Sequence, residues 1–292
     1  MNVMTFKVAS PYGRQAKCRI VCFLLFITTL FFSLASSAAL LVTPSRIVFE
    51  DRTRTEQVTL TNKGDKSVTY RVSFIRQNMS EDGKFLPVET DEEGLYSDKI
   101  VRYSPKQVVL APGQSQIVRL MLRKPKGLAE GEYRSHLLLQ ALPETTKSDI
   151  SKAVKKSSSG ISVEITTIIG VSLPVIVRNG KLTTELNLSN ARYVKSEDPK
   201  VKSYIAVDMN RTGMKSTYGD FRVTYIDTSG QEIIVGQVKG VAVYSPNKLR
   251  SFQIPINSPS GSDFENGSFH IAYTEFDKDE DTGLIASADI KL

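Results

Sequence analysis

Residues 160–177, GISVEITTIIGVSLPVIV, carry the sharpest pattern in the sequence. From Ile161 to Val177 every odd position is apolar except Thr167. Successive side chains of a β-strand point to opposite faces, and a typical strand has about 5–6 residues. The alternation therefore predicts one unusually long strand, and it raises the question of what covers the apolar face of that strand.

The same period of two recurs in shorter segments along most of the chain. They are rich in β-branched and aromatic residues, they are bounded by Gly, Pro, Asn and Asp, and no long segment has helical periodicity. Short strands at this spacing predict an all-β fold built from β-sandwiches. The segments are 40–50, 56–62, 67–75, 99–125, 131–143, 203–213, 219–240, 249–257, 267–277 and 284–292, with DTSG (227–230) as a hairpin turn.

The first 39 residues have the composition of a cleaved signal peptide. A basic stretch without acidic residues precedes the apolar run 20–35, and the small residues SSAA follow at 36–39. Both cysteines, Cys18 and Cys22, lie in this segment, so the mature chain is expected to have no disulfide, thiol chemistry or Cys-based metal site. Without the signal peptide, 34 Lys and Arg face 31 Asp and Glu, a balance that gives nucleic-acid binding little support.

Two breaks in the alternation divide the mature chain. Residues 144–160 are rich in Ser and Lys, which predicts a mobile surface loop before the long strand 161–177. VRNGKL (177–182) is typical of a joint, with Asn-Gly supplying the bend. We therefore expect an N-terminal domain at 40–177 and a C-terminal domain at 178–292.

Candidates for catalysis or metal binding are few. His136 and His270 each lie in an expected strand, and Ser135 points to the opposite face from His136, so a structural or surface role is expected for both histidines. DKDEDTG (277–283) begins like a calcium loop, but its glycine is one place late and its twelfth position is Ala288, which favours an acidic turn. We expect no enzyme activity, no cofactor, no metal and no small-molecule substrate.

The long strand has two interpretations. Its second half is apolar on both faces, as in a core strand, whereas its first half is apolar only at odd positions and follows the expected loop. An exposed edge with alternating apolar side chains can add itself to the sheet of another protein. The other interpretation is that the whole apolar face packs inside its own sandwich.

The order of these segments resembles the periplasmic pilus chaperones of chaperone–usher pathways. The resemblance rests on TPSRIVFE (43–50), VTLTNKGDKSVTYRV (58–72), SPKQVVLAPGQSQIVRL (104–120), GEYRSHLLLQALP (131–143), VYSPNKLRSFQIP (243–255) and GSFHIAYTEFD (267–277) around the long strand. It implies two immunoglobulin-like β-sandwich domains at an angle, with a cleft between them. It also implies a periplasmic chaperone that lends its long strand to a pilus subunit and delivers the subunit to an outer-membrane usher.

The resemblance further implies particular residues. The donated apolar face is Ile161, Val163, Ile165, Ile169 and Val171. Family members hold the carboxyl terminus of the subunit with an Arg near the first strand and a Lys on the long strand. Arg46 in PSRIVFE matches the first; no Lys lies between Gly160 and Val177, so Arg178 is the nearest candidate for the second, with Lys181 behind it.

One alternative function stays open beside the chaperone. The chain is then a secreted structural or adhesive protein of two β-sandwiches, without a subunit partner. For the chaperone, self-association in the absence of a subunit is a further open expectation.

Overall fold

The computed structural model describes residues 40–50, 52–88, 94–143, 170–198, 201–258, 264 and 266–292. The expected signal peptide, the expected loop 144–160 and four residues of the expected donor face, Ile161, Val163, Ile165 and Ile169, lie outside the described residues. The described residues from Leu40 onward belong to one compact unit. No helix among them is long and apolar enough to cross a membrane.

The described part of the chain is almost entirely β-structure, as the alternation predicts. Its single helix, α1 (Glu280–Gly283), is one turn long. The strands are β1 (Leu40–Thr43), β2 (Ile47–Phe49), β3 (Thr55–Asn62), β4 (Val68–Ile75), β5 (Gln77–Met79), β6 (Phe85–Pro87), β7 (Val101–Ser104), β8 (Gln107–Leu110), β9 (Ser115–Leu122), β10 (Gly131–Ala141), β11 (Gly170–Asn179), β12 (Thr184–Val194), β13 (Tyr204–Gly213), β14 (Thr217–Ile226), β15 (Glu232–Val243), β16 (Leu249–Pro255), β17 (Ser268–Glu275) and β18 (Leu284–Lys291).

The first sandwich has the strand arrangement of an immunoglobulin-like fold. One sheet has the order β1-β3-β9-β7 and the other β2-β11-β10-β4-β8, with β2 parallel to β11 and every other neighbour antiparallel. Pro44 lies between β1 and β2, and Pro105 between β7 and β8, where the chain passes from one sheet to the other. Because proline lacks a backbone N–H, it ends each ladder at that point.

The long strand contributes its odd positions to the core of this sandwich. Leu173, Val175 and Val177 are at most 2% exposed and pack in the same cluster as Ile47 and Phe49. The second half of the alternation is therefore an internal strand, as expected.

The second sandwich packs the sheet β12-β13-β16 against the sheet β15-β14-β17-β18. Phe221, Phe269 and Tyr273 are its largest fully buried side chains. The expected turn at 227–230 joins β14 to β15, where the Asp227 carboxylate accepts hydrogen bonds from the backbone N–H groups of Ser229 and Gln231 at 2.7 and 3.0 Å. The expected domain boundary at 177/178 falls inside β11 and stays a prediction.

A small hairpin, β5–β6, extends from the first sandwich and contacts the second. Asn247 Nδ2 donates to the Met79 carbonyl at 2.7 Å, and the Ser251 N–H donates to the Glu81 carbonyl at 2.8 Å. Beside these bonds Met79 packs with Ile176 of β11 and Tyr244 of the second sandwich in a buried cluster. The two sandwiches therefore share an apolar contact as well as a cleft.

Candidate functional site

A cavity of about 620 Å³ lies in the cleft between the two sandwiches. The first sandwich contributes the side of its sheet opposite the core, with Arg46, Val48 and Glu50 from β2 and its approach and Arg178 from β11. The second contributes Thr184, residues 215–218, Glu275, Phe276 and residues 282–285. The predicted anchor residues Arg46 and Arg178 therefore line the same cavity.

Arg46 is a cation without a counter-ion among the described residues. Its guanidinium lies 4.4 Å from the centre of the Tyr218 ring and 5.6 Å from that of Tyr244, and its Nη1 is buried without a hydrogen-bond partner. Aromatic rings stabilise a guanidinium but leave its N–H donors unused. Arg46 can therefore donate to an anion that enters the cavity.

Arg178 is held by carboxylates of the protein itself. Its Nε donates to Glu132 Oε2 at 3.0 Å and its Nη1 contacts Glu50 Oε1. Burial, and secondarily the charge of Arg46, lowers the pKa of Arg178 to about 10, so the group is charged at neutral pH. Its charge is balanced within the protein, unlike that of Arg46, and its role as a second anchor stays a prediction.

Glu132 links the two sandwiches through this ion pair. The residue is 3% exposed, and its carboxylate also accepts hydrogen bonds from the N–H of Ser216, at 3.1 Å, and from the Ser216 hydroxyl. Glu132 belongs to β10 of the first sandwich, whereas Ser216 directly precedes β14 of the second. One buried carboxylate thus holds together groups from both sides of the cleft.

Lys215 is a third cation in the cavity, and no local motif pointed to it. Burial lowers its pKa, and the charges of Arg178 and Arg46 lower it further, while Glu132 and Glu275 oppose the shift. By contrast Lys181, the sequence candidate behind Arg178, is exposed and does not line the cavity.

Arg134 and His136 form a buried polar pair behind Arg46. Arg134 is 5% exposed, its guanidinium lies 4.5 Å from the Tyr244 ring, and its Nε and Nη1 have no hydrogen-bond partner. Both ring nitrogens of His136 also lack partners, and burial together with the Arg134 charge lowers the His136 pKa to about 3. The sequence pattern that could have indicated this buried polar group is Glu132, Arg134 and His136 at alternate positions of β10, which places three polar side chains on one face of the strand.

The described part of the expected donor face is Val171. It lies at the start of β11, opposite Leu139 of β10, and it is half-buried, whereas Leu173 two positions later is fully in the core. Val171 is therefore the position at which the odd-numbered face reaches the rim of its own core.

The other candidates for metal binding or catalysis, Asp279, His270 and Ser135, make local hydrogen bonds within the fold. Asp279 caps α1 by accepting from the Thr282 N–H at 2.9 Å, and no group of three metal-ligating side chains occurs among the described residues. His270 lies 2.7 Å from Asp289 Oδ1 and 2.9 Å from Glu280 Oε1, on the surface of the second sandwich. Ser135 contacts Asp98 at 2.9 Å rather than either histidine.

No family model and no curated protein matches the sequence. Similar solved structures are chaperones of pilus assembly. They include the YadV chaperone, 11% identical with a TM-score of 0.42 over 87% of this chain and 100% of that chain. Others are the Pseudomonas aeruginosa CupB2 chaperone (13%, 0.40, 86% and 100%) and the CsuC–CsuE chaperone–tip adhesion subunit pre-assembly complex from archaic chaperone–usher Csu pili of Acinetobacter baumannii (14%, 0.43, 87% and 98%).

Proposed function

We propose that the chain is a periplasmic chaperone of a chaperone–usher pathway, which stabilises pilus subunits by lending them its long strand. The observation that carries the proposal is the burial of the odd-numbered side chains of β11. Leu173, Val175 and Val177 fill the chaperone's own core, Val171 lies at its rim, and the sequence continues the same apolar face through Ile169 to Ile161.

The chemistry of strand donation follows from this face. A subunit that lacks one strand exposes an apolar groove and a row of unpaired backbone groups, and both promote aggregation. A lent strand supplies the backbone hydrogen bonds, and Ile161, Val163 and Ile165 supply alternating apolar side chains for the groove. Such binding needs no cofactor, metal or catalytic group.

The cleft would receive the carboxyl terminus of the subunit. Arg46 is the first anchor in this proposal, because it lies in the cavity with an unused buried donor. For the second anchor we keep Arg178, which lines the same cavity. The loaded chaperone would then deliver its subunit to an outer-membrane usher, after export of the chaperone through a cleaved signal peptide.

Strand donation is tested by substituting Val163, a central position of the expected donor face. The chain is co-expressed with candidate pilus subunits from the same genome and purified through a tag on the chaperone. Val163→Glu should abolish recovery of the subunit, because a carboxylate would enter an apolar groove. Thr166→Glu, on the opposite face, is the matched control and should retain the subunit; equal recovery with both variants would exclude the assigned face.

The anchor is tested in the same purification. Arg46→Ala should reduce subunit recovery at least tenfold, since a charge-assisted hydrogen bond contributes about 1.5–3 kcal/mol. Arg102→Ala, an exposed position on β7, is the control. If no subunit is recovered even with the unchanged chain, and the protein instead assembles with itself, the alternative of a secreted structural or adhesive protein is favoured.

A further inference from the structure

The cleft cavity has an apolar wall on the side of the second sandwich. Phe276, Leu284 and Ile285 line it, and they remain 43%, 49% and 36% exposed. Single exposed apolar residues are common on protein surfaces, whereas three that together line one concave site indicate a binding surface. Within the described part of the chain, each of these three side chains keeps more than a third of its surface exposed.

The apolar wall is joined to Arg46 through one aromatic ring. Tyr218 lies 4.7 Å from Phe276, ring centre to ring centre, and the Arg46 guanidinium lies 4.4 Å from the same Tyr218 ring. Two to three extended residues, at about 3.3 Å each, span the longest separation between the guanidinium and the wall that these two distances allow. A single short peptide segment can therefore contact both.

The segment that carries the wall is fixed by local contacts. Asp279 caps α1, and His270 Nε2 lies 2.9 Å from Glu280 Oε1, which holds α1 against β17. Leu284 and Ile285 directly follow α1 as the first residues of β18. Asp279 fixes the start of α1, and the Leu284 N–H, which donates to the Glu280 carbonyl, fixes its end. The wall is therefore formed before any ligand binds, which reduces the ordering cost of binding.

We propose that Arg46 and this wall form a subsite selective for chain termini that end in an apolar residue. The α-carboxylate binds Arg46, and the apolar side chain of the last or penultimate residue packs on Phe276, Leu284 and Ile285. The cavity is lined by the cations Arg46 and Lys215 as well as by the three apolar side chains, which match the carboxylate and the side chain of such a terminus. The inference rests on the proposed function, in which Arg46 receives the carboxylate of a client.

The probes are three synthetic tetrapeptides that share an acetylated amino end and the residues Thr-Val-Thr. The first ends in Phe with a free carboxylate, the second ends in Ser with a free carboxylate, and the third ends in Phe with a carboxamide. Binding to the purified full chain is measured by titration with detection by NMR. The free Phe peptide should bind roughly tenfold more tightly than each of the others, because each lacks one of the two contacts.

Two variants assign the selectivity to the wall. Leu284→Ser should reduce the preference for Phe over Ser at the peptide end severalfold and leave the preference for carboxylate over carboxamide unchanged. Ile234→Ser, which alters an equally exposed apolar residue on β15, should change neither preference. If the Phe and Ser peptides bind the unchanged chain equally, or if none of the peptides binds, the inference is wrong.

The outcomes separate this inference from the proposed function. A chain that captures subunits but does not distinguish the peptides keeps the chaperone function and loses the selective subsite. A chain that distinguishes the peptides but captures no subunit keeps a receptor for carboxyl termini and loses the chaperone function.

Discussion

Substitution of Glu132 by Gln should destabilise the protein more than any other single change of charge in the cleft. The buried carboxylate accepts three hydrogen bonds, one from Arg178 Nε and two from Ser216. Burial lowers the pKa of Arg134 and of Lys215, and the charge of Glu132 opposes that shift in both. Gln keeps the shape of Glu but removes the charge. Its amide nitrogen is a donor, so it would face an N–H or O–H donor of Arg178 or Ser216 from which the carboxylate oxygen had accepted a hydrogen bond.

The magnitude follows from what remains after the substitution. Breaking a buried ion pair by neutralising one partner costs about 3–5 kcal/mol. Arg178 retains Glu50, so the lower end of this range applies, and we expect a loss of about 3 kcal/mol in the free energy of unfolding. For a chain of this size, that lowers the melting temperature by about 6–12 °C.

The assay is urea denaturation followed by far-ultraviolet circular dichroism and tyrosine fluorescence. Glu232→Gln, at an exposed position of β15, is the matched control and should change the free energy of unfolding by less than about 0.5 kcal/mol. Because Glu132 and Ser216 belong to different sandwiches, the variant should also unfold less cooperatively than the unchanged chain. A loss below about 1 kcal/mol, or a loss equal to that of the control, would refute the assigned role of Glu132.

Three further outcomes are expected. Burial disfavours the charged form of His270, but the hydrogen bonds to Asp289 and Glu280 outweigh burial and raise the His270 pKa. The contribution of His270 to stability should be complete below pH ~6.5 and be lost as the pH rises through the raised pKa. His270→Gln should remove this decline from the pH profile of unfolding, and an unchanged profile would contradict it. The pH dependence of stability from His136 runs the other way, because its pKa of about 3 in the folded protein lies below the unfolded value of about 6.5. Stability should therefore fall as the pH drops from ~6.5 toward 3, and His136→Leu should flatten that decline in an acid titration. Leu173→Ala, at a fully buried core position, should cost about 2–5 kcal/mol in urea denaturation, whereas Ser172→Ala, exposed on the other face of β11, should change it little.

Local patterns predicted the fold because strands have a simple periodicity. The odd positions of β11 from Leu173 to Val177 are buried as the alternation requires, and the turn at Asp227 forms where DTSG predicts it. Of the residues that line the cleft cavity, Arg46 could be predicted because it matched a family motif. Lys215 and the contact of Glu132 with Ser216, 84 residues apart, depend on how the two sandwiches pack, and no local pattern encodes that packing.

The same packing explains why two neighbouring cations differ in what they can do. Arg178 and Arg46 both line the cavity, but the β10–β11 register places Arg178 opposite Glu132, and its Nη1 also contacts Glu50, which directly follows β2. Arg46 precedes β2, and its guanidinium lies over the Tyr218 ring of the second sandwich, with the Tyr244 ring 5.6 Å away. A cation neutralised by two carboxylates stabilises the joint, whereas one that rests on aromatic rings keeps its donors for a ligand. In the proposed chaperone the row Glu50–Arg178–Glu132 would therefore hold the cleft in shape, so that Arg46 meets the client at a fixed distance from the strand that is lent.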